Sequence, residues 1–351
     1  DHRDLHSFPT RRSSDLELYS AIGRYFYIKE TLSEKRRFIS TGLILTFLST
    51  FLIASLVFFF SDYILVNYFR SKDYYFELQI GIIWLVLNAI STYLSIIPRY
   101  EKKPKTYVII NLISILLRLS STIFFVLVIR IGIIGIIYGH IIGDFSSAFL
   151  NGLISKKYIA LQFSFEDTKM ILKYSLPLIP GLFIVGLWVP LSRYFISTFF
   201  AINVLGLYSF ALRFTSINSI FNGALRNAWQ PILFENITNS SFSSQLRKVS
   251  GITSLITLGI GTFITLFAPE FCYLIGTDEY AKSSILVGFL VFGGSLQVAS
   301  QMKGFGPLVN NKTFVYSIFN IFSIIISIVL FISIKDKFGL IGLGMIMFMY
   351  E

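Results

Sequence analysis

The chain has 351 residues, of which 54% are hydrophobic, 17% are aromatic and only 14% are charged. A soluble domain carries about 25% charged residues, so the composition predicts a protein whose solvent is lipid. The formal net charge of +11 is therefore expected to reflect membrane topology, and we predict no nucleic-acid partner. One cysteine and three histidines exclude a disulfide framework and a histidine-rich metal site, and no cofactor is predicted.

The apolar stretches are long enough to be membrane spans. Residues 1–16 are polar, and SFPTRRSSDL within them resembles a translated sequencing adapter, so we treat this segment as non-native. A helix needs about 20 residues to cross a bilayer, and partial spans lie at 17–28 and from 339 to the end of the chain. Nine complete spans are predicted at 38–60, 78–97, 107–129, 133–154, 176–200, 204–231, 249–268, 283–302 and 313–334. The predicted fold class is an all-α, polytopic membrane protein whose chain is truncated at both ends.

Basic residues are expected to mark one side of the membrane. Lys and Arg concentrate in alternate connecting segments, and few lie in the segments between them. Because cytoplasmic loops carry an excess of Lys and Arg, five loops are predicted to be cytoplasmic, at 29–37, 98–106, 155–175, 232–248 and 303–312. This alternation supports the number of spans as well as the orientation of the chain.

The chain contains an internal repeat, which is typical of transporters. KTYV at 105–108 recurs as KTFV at 312–315, and Gly132 recurs at the same offset as Gly339. A constant spacing across a whole helix is difficult to obtain from apolar bias alone. The repeat therefore predicts that the chain has two related halves.

A second match supports the repeat and defines the lobes. LYSAIGRYF begins at residue 18 and matches LYSFALRFT, which pairs Arg24 with Arg213. Both copies run in the same direction relative to the basic loops. We therefore predict two six-helix lobes, 17–154 and 176–351, which are related by a parallel pseudo-two-fold and joined by a cytoplasmic linker at 155–175.

Five segments in this order resemble a known family, the polysaccharide-repeat-unit flippases of the multidrug/oligosaccharidyl-lipid/polysaccharide exporter superfamily. These segments are YSLPLIPG at 174–181, SRYFIS at 192–197, LGLYSFALR at 205–213, AWQPILFE at 228–235 and KFGLIGLGM at 337–345. By this resemblance, the first lobe corresponds to family helices two to six without the first helix. The second lobe corresponds to helices seven to twelve, the last of which is truncated.

The resemblance implies a function of the O-antigen translocase type. It implies that the chain is not an enzyme but moves a polyprenyl-diphosphate-linked oligosaccharide across the bacterial inner membrane by alternating access. Its partners would be this lipid-linked substrate, the surrounding membrane lipid and a coupling proton or Na⁺. One departure lies at Ser192, where family members commonly have an acidic residue, so the role of that acid does not carry over.

Arginines within the predicted spans are the candidate substrate-binding residues, because ionisable groups are costly in a bilayer. They are Arg24, Arg118, Arg193 and Arg213. A guanidinium is always charged and binds phosphate oxygens in a bidentate fork, which suits a lipid diphosphate. We expect these side chains to face one solvent-filled space between the lobes. The structural alternative is that an arginine extends to the membrane interface or pairs with an acid.

Asp144 is an acidic residue deep in a predicted span, and His140 lies one helical turn before it. Such a pair could take up a proton or coordinate a cation during transport, although a purely structural pairing of Asp144 with an arginine is the alternative.

Three prolines, Pro177, Pro180 and Pro190, fall in one span. Because proline removes a helical hydrogen bond, they predict a bent gating helix, or else a static kink.

Three other functions fit parts of the sequence. A small-molecule or multidrug cation antiporter of the same superfamily would need acids in its cavity, whereas arginines predominate here. A membrane glycan polymerase would need a large loop or paired carboxylates, and the predicted outer loops are short. A structural scaffold would leave the charges within the spans without a purpose.

Overall fold

The computed structural model describes residues 18–69, 72–160, 162–235, 242–276, 278–301 and 313–350. The predicted foreign segment 1–16 and the predicted loop 303–312 lie outside these residues. Within the described ranges the chain is helical and contains no strand, which confirms the predicted all-α class. The chain separates into two compact units, which divide between Leu176 and Pro177.

The described residues of the first unit form seven α-helices. They are α1 (Leu18–Tyr25), α2 (Leu32–Phe59), α3 (Ser61–Ile64), α4 (Tyr75–Tyr100), α5 (Pro104–Ile123), α6 (Ile133–Ile154) and α7 (Phe165–Ser175). π-Helical turns follow α3 and α5, at Leu65–Phe69 and Phe124–Val128, and a 3₁₀ turn, Lys156–Tyr158, follows α6. Helix α6 packs closely against both α4 and α5, and these three helices hold the site described below.

The second unit contains the remaining helices. They are α8 (Ile179–Phe199), α9 (Ile202–Glu235), α10 (Phe242–Leu266), α11 (Ala268–Ile275), α12 (Ser284–Gln301) and α13 (Thr313–Tyr350). Short 3₁₀ turns, Leu176–Leu178 and Asp278–Ser283, precede α8 and α12. The core of this unit includes Trp188, Tyr208 and Phe331, all of which are buried.

Eight segments of the described chain are long and apolar enough to cross a membrane. They are Leu32–Phe59, Tyr75–Tyr100, Pro104–Val128, Ile133–Ile154, Phe165–Phe199, Ile202–Trp229, Lys248–Leu266 and Asp278–Ala299. These segments overlap the first eight predicted spans. The ninth, 313–334, contains a shorter apolar stretch, Ser317–Ser333. By length and composition the chain is therefore a multi-pass membrane protein.

Local sequence signals explain where helices begin. Thr31 caps α2 through a capping box, because its hydroxyl accepts the N–H of Glu34 at 3.2 Å and the Glu34 carboxylate accepts the N–H of Thr31 at 3.1 Å. Helix α5 begins at Pro104, whose fixed φ suits the first helical position. Both helices begin within a segment that was predicted to be a basic loop, 29–37 for α2 and 98–106 for α5.

Helix α5 shows how lipid reverses the usual arrangement of polar and apolar faces. Its exposed side chains include Leu112, Leu116 and Leu119, each more than half exposed. The residues it buries are Ile110 and Ser114. An apolar outer surface is favourable in a bilayer, where small and polar residues face neighbouring helices instead.

The repeated glycines share an unusual backbone conformation. Gly132 has φ 61° and ψ −131°, and Gly339 has φ 52° and ψ −131°. Left-handed φ values of this kind favour glycine, since other residues pay a steric cost there. The backbone thus repeats at the two positions that the sequence matched. The rotation predicted to relate the lobes stays a prediction.

The predicted linker 155–175 contains a helix, α7, rather than only a polar loop. Ser164 caps it by accepting the N–H of Asp167 at 3.3 Å. Its buried residues are Asp167, Ile171, Tyr174 and Ser175, which recur at helical spacing and form one face. The sequence analysis did not predict this helix because its composition is polar and its apolar face is narrow.

Candidate functional site

Three neighbouring helices of the first unit carry polar residues within otherwise apolar spans. Each set recurs at intervals of three or four residues, so each forms a stripe along one helix face. The stripes contain Trp84, Asn88, Ser91, Thr92 and Ser95 on α4, Asn111, Ser114 and Arg118 on α5, and His140, Asp144, Ser147 and Asn151 on α6. Because α6 packs against α4 and α5, the three stripes meet inside the unit.

Asp144 is the centre of this polar cluster and is only 2% exposed. Its Oδ2 accepts hydrogen bonds from the Trp84 indole Nε1 and the Asn88 Nδ2, both at 2.8 Å. Its Oδ1 accepts from Arg118 Nη2 at 2.5 Å. Three N–H donors on two other helices therefore hold the carboxylate, and one of them carries the compensating charge.

Glycines allow the helices to approach closely enough for this pairing. A Cβ added at Gly143 would lie 2.7 Å from the Cβ and 2.9 Å from the Nε of Arg118. A Cβ at Gly139 would lie 2.0 Å from Thr122 Oγ1 and 2.9 Å from the Thr122 backbone nitrogen. Small residues spaced by four are typical of close helix contacts in membranes. Gly139 and Gly143 therefore let α6 come close enough to α5 for Asp144 to bind Arg118.

His140 joins the cluster through a contact between its ring and the indole of Trp84. Its ring centroid lies 4.8 Å from that of Trp84 in an edge-on arrangement, and its Nδ1 lies 2.9 Å from the carbonyl oxygen of Ile136. The predicted Asp–His pair thus shares one helix face, with Trp84 contacting both side chains. The ion-coupling role of the two residues stays a prediction.

A small polar cavity lies beside the ion pair. Its volume is about 50 Å³, and its polar lining consists of Ser91, Thr92, Ser95, Asn111, Ser114, Arg118, Asp144 and Ser147. Ser95, Ser114 and Asn111 donate to backbone carbonyls of their own helices. Ser114 Oγ also accepts from Ser146 Oγ at 3.3 Å, and a hydroxyl oxygen has a second lone pair that can accept a further donor. A space of this size holds roughly one to three water molecules and is too small for a sugar.

The structure brings two of the four predicted arginines into the first unit. Arg118 is paired with Asp144. Arg24 lies in the last turn of α1, and its Nε and Nη1 atoms are buried without a hydrogen-bond partner among the described residues. A buried N–H donor that has no acceptor is costly, and an anion could supply the acceptor. Arg24 is therefore the better placed of the two to accept an anion.

The other two arginines belong to the second unit. Arg193 lies on α8, and its Nε is buried without a hydrogen-bond partner in the described part of the chain. Arg213 lies on α9 and is exposed. Their predicted roles in substrate binding stay predictions, as does the shared space that all four arginines were expected to line.

Of the three prolines expected to bend one helix, only one lies in a helix interior. Pro190 is inside α8, Pro180 is in the first turn of α8, and Pro177 is in the preceding 3₁₀ turn. Proline is tolerated in a first turn because those N–H groups have no helical acceptor. The predicted gate would therefore depend on Pro190.

A buried acid forms ion pairs with two basic residues of the first unit. The Asp167 side chain is fully buried and accepts from Lys29 Nζ at 2.9 Å and from Arg37 Nε at 3.0 Å. The sequence analysis counted these cations only as markers of topology. The acid that pairs with them lies more than a hundred residues away in the chain, so spacing gave no signal for the pair.

A second acid, Glu101, has a similar role just after α4. Its carboxylate accepts from Lys103 Nζ and from the Tyr158 hydroxyl, each at 2.9 Å, and pairs with Lys157. Burial raises the pKa of Glu101, but the hydrogen bonds from Lys157, Lys103 and Tyr158 outweigh it and hold the pKa below its usual value. Burial, together with the hydrogen bond to Glu101, raises the pKa of Tyr158.

Sequence reasoning identified Arg118, His140 and Asp144 but missed their partners. Trp84 and Asn88 are four residues apart on α4, and this spacing in an apolar span was a usable signal. The glycines of α6 were a second usable signal, since they recur every four residues. Both were visible as patterns, but neither pattern alone shows which helix is the neighbour.

Comparisons with known proteins support a transporter-like fold. The model of a family described as polysaccharide biosynthesis protein matches residues 23–285. No curated protein matches the chain by sequence. Three solved structures show how far the fold is shared, and their identities, all below 20%, support similarity of fold alone.

The first of these structures is the Vibrio cholerae MATE transporter VcmN in the bent form. It has a TM-score of 0.79 and 11% identity, with 97% of this chain and 81% of that chain covered. The second is the outward-facing conformation of a multidrug resistance MATE family transporter of the MOP superfamily. Its TM-score is 0.79 and its identity is 16%, with 97% of this chain and 80% of that chain covered. The third is a MOP superfamily transporter from Pyrococcus furiosus Vc1, which is described as having a binding pocket of reverse polarity. Its TM-score is 0.76 and its identity is 17%, with 97% of this chain and 80% of that chain covered.

Proposed function

Since the chain belongs to the polysaccharide biosynthesis protein family, we propose that it moves a polyprenyl-diphosphate-linked oligosaccharide across a bacterial inner membrane by alternating access. The two-unit, all-helical fold that it shares with MOP superfamily transporters supports a transport role. The family description supports a glycan rather than a drug as the cargo. The lipid tail of such a substrate would stay in the bilayer while the charged headgroup crosses.

The observation that carries the substrate assignment is the pair of unbonded N–H donors, Nε and Nη1, that Arg24 presents within the described part of the chain. Its buried Nε and Nη1 atoms have no hydrogen-bond partner among the described residues, and a diphosphate would supply both acceptors and the opposite charge. Arg193, with a buried Nε in the same condition, is the second candidate for contact with the headgroup. Arg118 differs, because Asp144 already compensates its charge.

The ion-paired cluster is the proposed coupling element. Asp144, with Trp84 linking it to His140, combines the groups that a proton or a small cation would need. The adjacent cavity has room for a few water molecules that could deliver the ion. Movement of the ion would then bias the conformational cycle, while the diphosphate itself binds elsewhere.

The test is transport of a fluorescent polyprenyl-diphosphate-linked oligosaccharide by the chain reconstituted in vesicles. Arg24→Ala should lower the initial rate by about tenfold, which corresponds to the loss of one charge-assisted hydrogen-bonded contact. Arg24→Lys should keep part of the rate, because the charge remains but the planar fork is lost. Arg36→Ala is the matched control, since Arg36 is an exposed arginine on α2. Equal rates in Arg24→Ala and Arg36→Ala would remove the basis for the assignment.

The second candidate function is a small-molecule cation antiporter, which the similarity to multidrug resistance MATE transporters supports at the level of fold. The same vesicles can be tested with an organic cation under an imposed pH or Na⁺ gradient. Gradient-driven cation uptake, without movement of the lipid-linked glycan, would favour the antiporter. Glycan movement without cation uptake would favour the flippase.

A further inference from the structure

Helix α7, the last helix of the first unit, exposes a face that combines aromatic rings with lysines. Phe165 is 83% exposed and Phe163 is 44% exposed, and their rings contact each other edge-on with centroids 5.2 Å apart. Lys169 and Lys173 are exposed and follow Phe165 at intervals of four residues. These positions lie on one side of the helix, because a spacing of four advances the helix by about one turn.

The opposite face of α7 is held firmly against the first unit. Ile171 and Tyr174 are buried, and the buried Asp167 carboxylate binds Lys29 and Arg37. The backbone N–H of Ser164 also donates to Thr41 Oγ1 at 3.1 Å. These contacts fix how α7 is rotated about its axis. The Phe165 face is therefore presented outward by the fold and is not a consequence of a loose segment.

The outward face has the chemistry of a surface that lies among lipid headgroups. An aromatic ring that is 83% exposed is unfavourable in water, whereas lysines beside it can extend their ammonium groups to phosphate oxygens. Lys156, in the 3₁₀ turn that follows α6, is also exposed, and Glu166 is an exposed acid on α7 itself. The balance of these charges is positive and complements an anionic leaflet.

We propose that the exposed face of α7, formed by Phe165, Lys169 and Lys173, lies in the headgroup region of an anionic membrane leaflet, together with Phe163 and Lys156 of the segment that precedes the helix. The phenylalanine pair enters the boundary between headgroups and acyl chains, and the lysines bind headgroup phosphates. Each lysine near such a leaflet strengthens surface binding by about fivefold. This face anchors the end of the first unit independently of any substrate.

Spin labelling of the reconstituted chain tests the proposal. The only cysteine, Cys272, is buried, so Phe165→Cys and Ser33→Cys each introduce one accessible labelling site. Ser33 is an exposed polar residue in the first turn of α2 and is the control. Vesicles of phosphatidylcholine are compared with vesicles that contain equal amounts of phosphatidylcholine and phosphatidylglycerol. Accessibility of each label is measured with oxygen, which enters lipid, and with a water-soluble nickel complex.

The label at position 165 should favour oxygen over the nickel complex, and phosphatidylglycerol should increase this preference. The label at position 33 should favour the nickel complex in both kinds of vesicle. Adding Lys156→Ala, Lys169→Ala and Lys173→Ala to the Phe165→Cys chain should abolish the effect of phosphatidylglycerol. A label at position 165 that is as accessible to the nickel complex as the label at 33, or one that is insensitive to phosphatidylglycerol, would overturn the proposal and leave this face to a soluble partner.

Discussion

Removing the charge of Asp144 should expose how much the buried ion pair contributes to the fold. Asp144→Asn keeps an oxygen that can accept the N–H groups of Trp84 and Asn88, but it leaves the Arg118 guanidinium without a counter-charge. The Arg118 side chain is 17% exposed and that of Asp144 is 3% exposed, so solvent screens the pair only weakly. Breaking a buried ion pair costs about 3–5 kcal/mol, and an arginine at mid-bilayer costs about 2.5–3.5 kcal/mol.

We therefore expect Asp144→Asn to lower the free energy of unfolding by about 3 kcal/mol. A neutral hydrogen bond between membrane helices contributes only about 0.6 kcal/mol on average, so a loss of this size would show that the charge, rather than the hydrogen bonds, holds the cluster together. For a unit of this length the loss corresponds to a fall of about 6–12 °C in the unfolding midpoint. The double variant Arg118→Met, Asp144→Asn removes both charges and should recover most of the loss.

Thermal unfolding of the chain in nanodiscs measures these differences. Circular dichroism follows the helices. In a chain that carries Trp188→Phe and Trp229→Phe, tryptophan fluorescence comes from Trp84 alone and reports on the cluster, because its indole bonds to Asp144. Labelling of Cys272, which is buried in the second unit, provides an independent reading of that unit. If Asp144→Asn unfolds with the wild-type midpoint, or if the double variant is no more stable than the single one, the charge pair does not hold these helices together.

Three further predictions concern the packing and the basic loops. Gly139→Ala should destabilise the first unit by about 1–3 kcal/mol, because its Cβ would overlap Thr122, whereas Gly81→Ala, which meets nothing within 4 Å, should be neutral in the same unfolding assay. Asp167→Asn should make α7 more sensitive to trypsin, since the carboxylate binds two cations. The pKa of Glu101 lies below its usual value of 4.5, so its contribution to stability is present above that pH and is lost as pH falls through the lowered pKa. Glu101→Gln should remove this acid-dependent loss from a pH series of unfolding midpoints.

Each of these predictions has a result that would contradict it. Equal stability of Gly139→Ala and Gly81→Ala would mean that α5 and α6 can separate without cost. An unchanged rate of trypsin cleavage in Asp167→Asn would mean that apolar packing alone holds α7. A Glu101→Gln chain that retains the full acid sensitivity of the wild type would assign that sensitivity to other carboxylates.

Much of the architecture follows from the sequence because lipid imposes a simple constraint. Backbone polar groups in a bilayer must be satisfied within the segment, so a long apolar stretch becomes a helix. Eight of the nine predicted spans accordingly overlap segments that can cross a membrane. The match between Gly132 and Gly339 predicted two related halves, and the structure adds that both glycines have a positive φ, a conformation that few other residues adopt. Helix α7 was missed because the stripe it buries is narrow and lies within a polar segment.

The cost of a charge in lipid singled out Arg118 and Asp144 from the sequence alone, but only the tertiary structure decided that they bind each other. They lie 26 residues apart on different helices, and spacing along a chain shows which residues share a helix face, not which faces meet. The close approach of α5 and α6 at Gly143 places the guanidinium against the carboxylate. The carboxylate compensates Arg118, whereas the Nε and Nη1 of Arg24 have no hydrogen-bond partner among the described residues. This difference between two arginines depends on distances of a few ångströms, which only the packing of the helices sets.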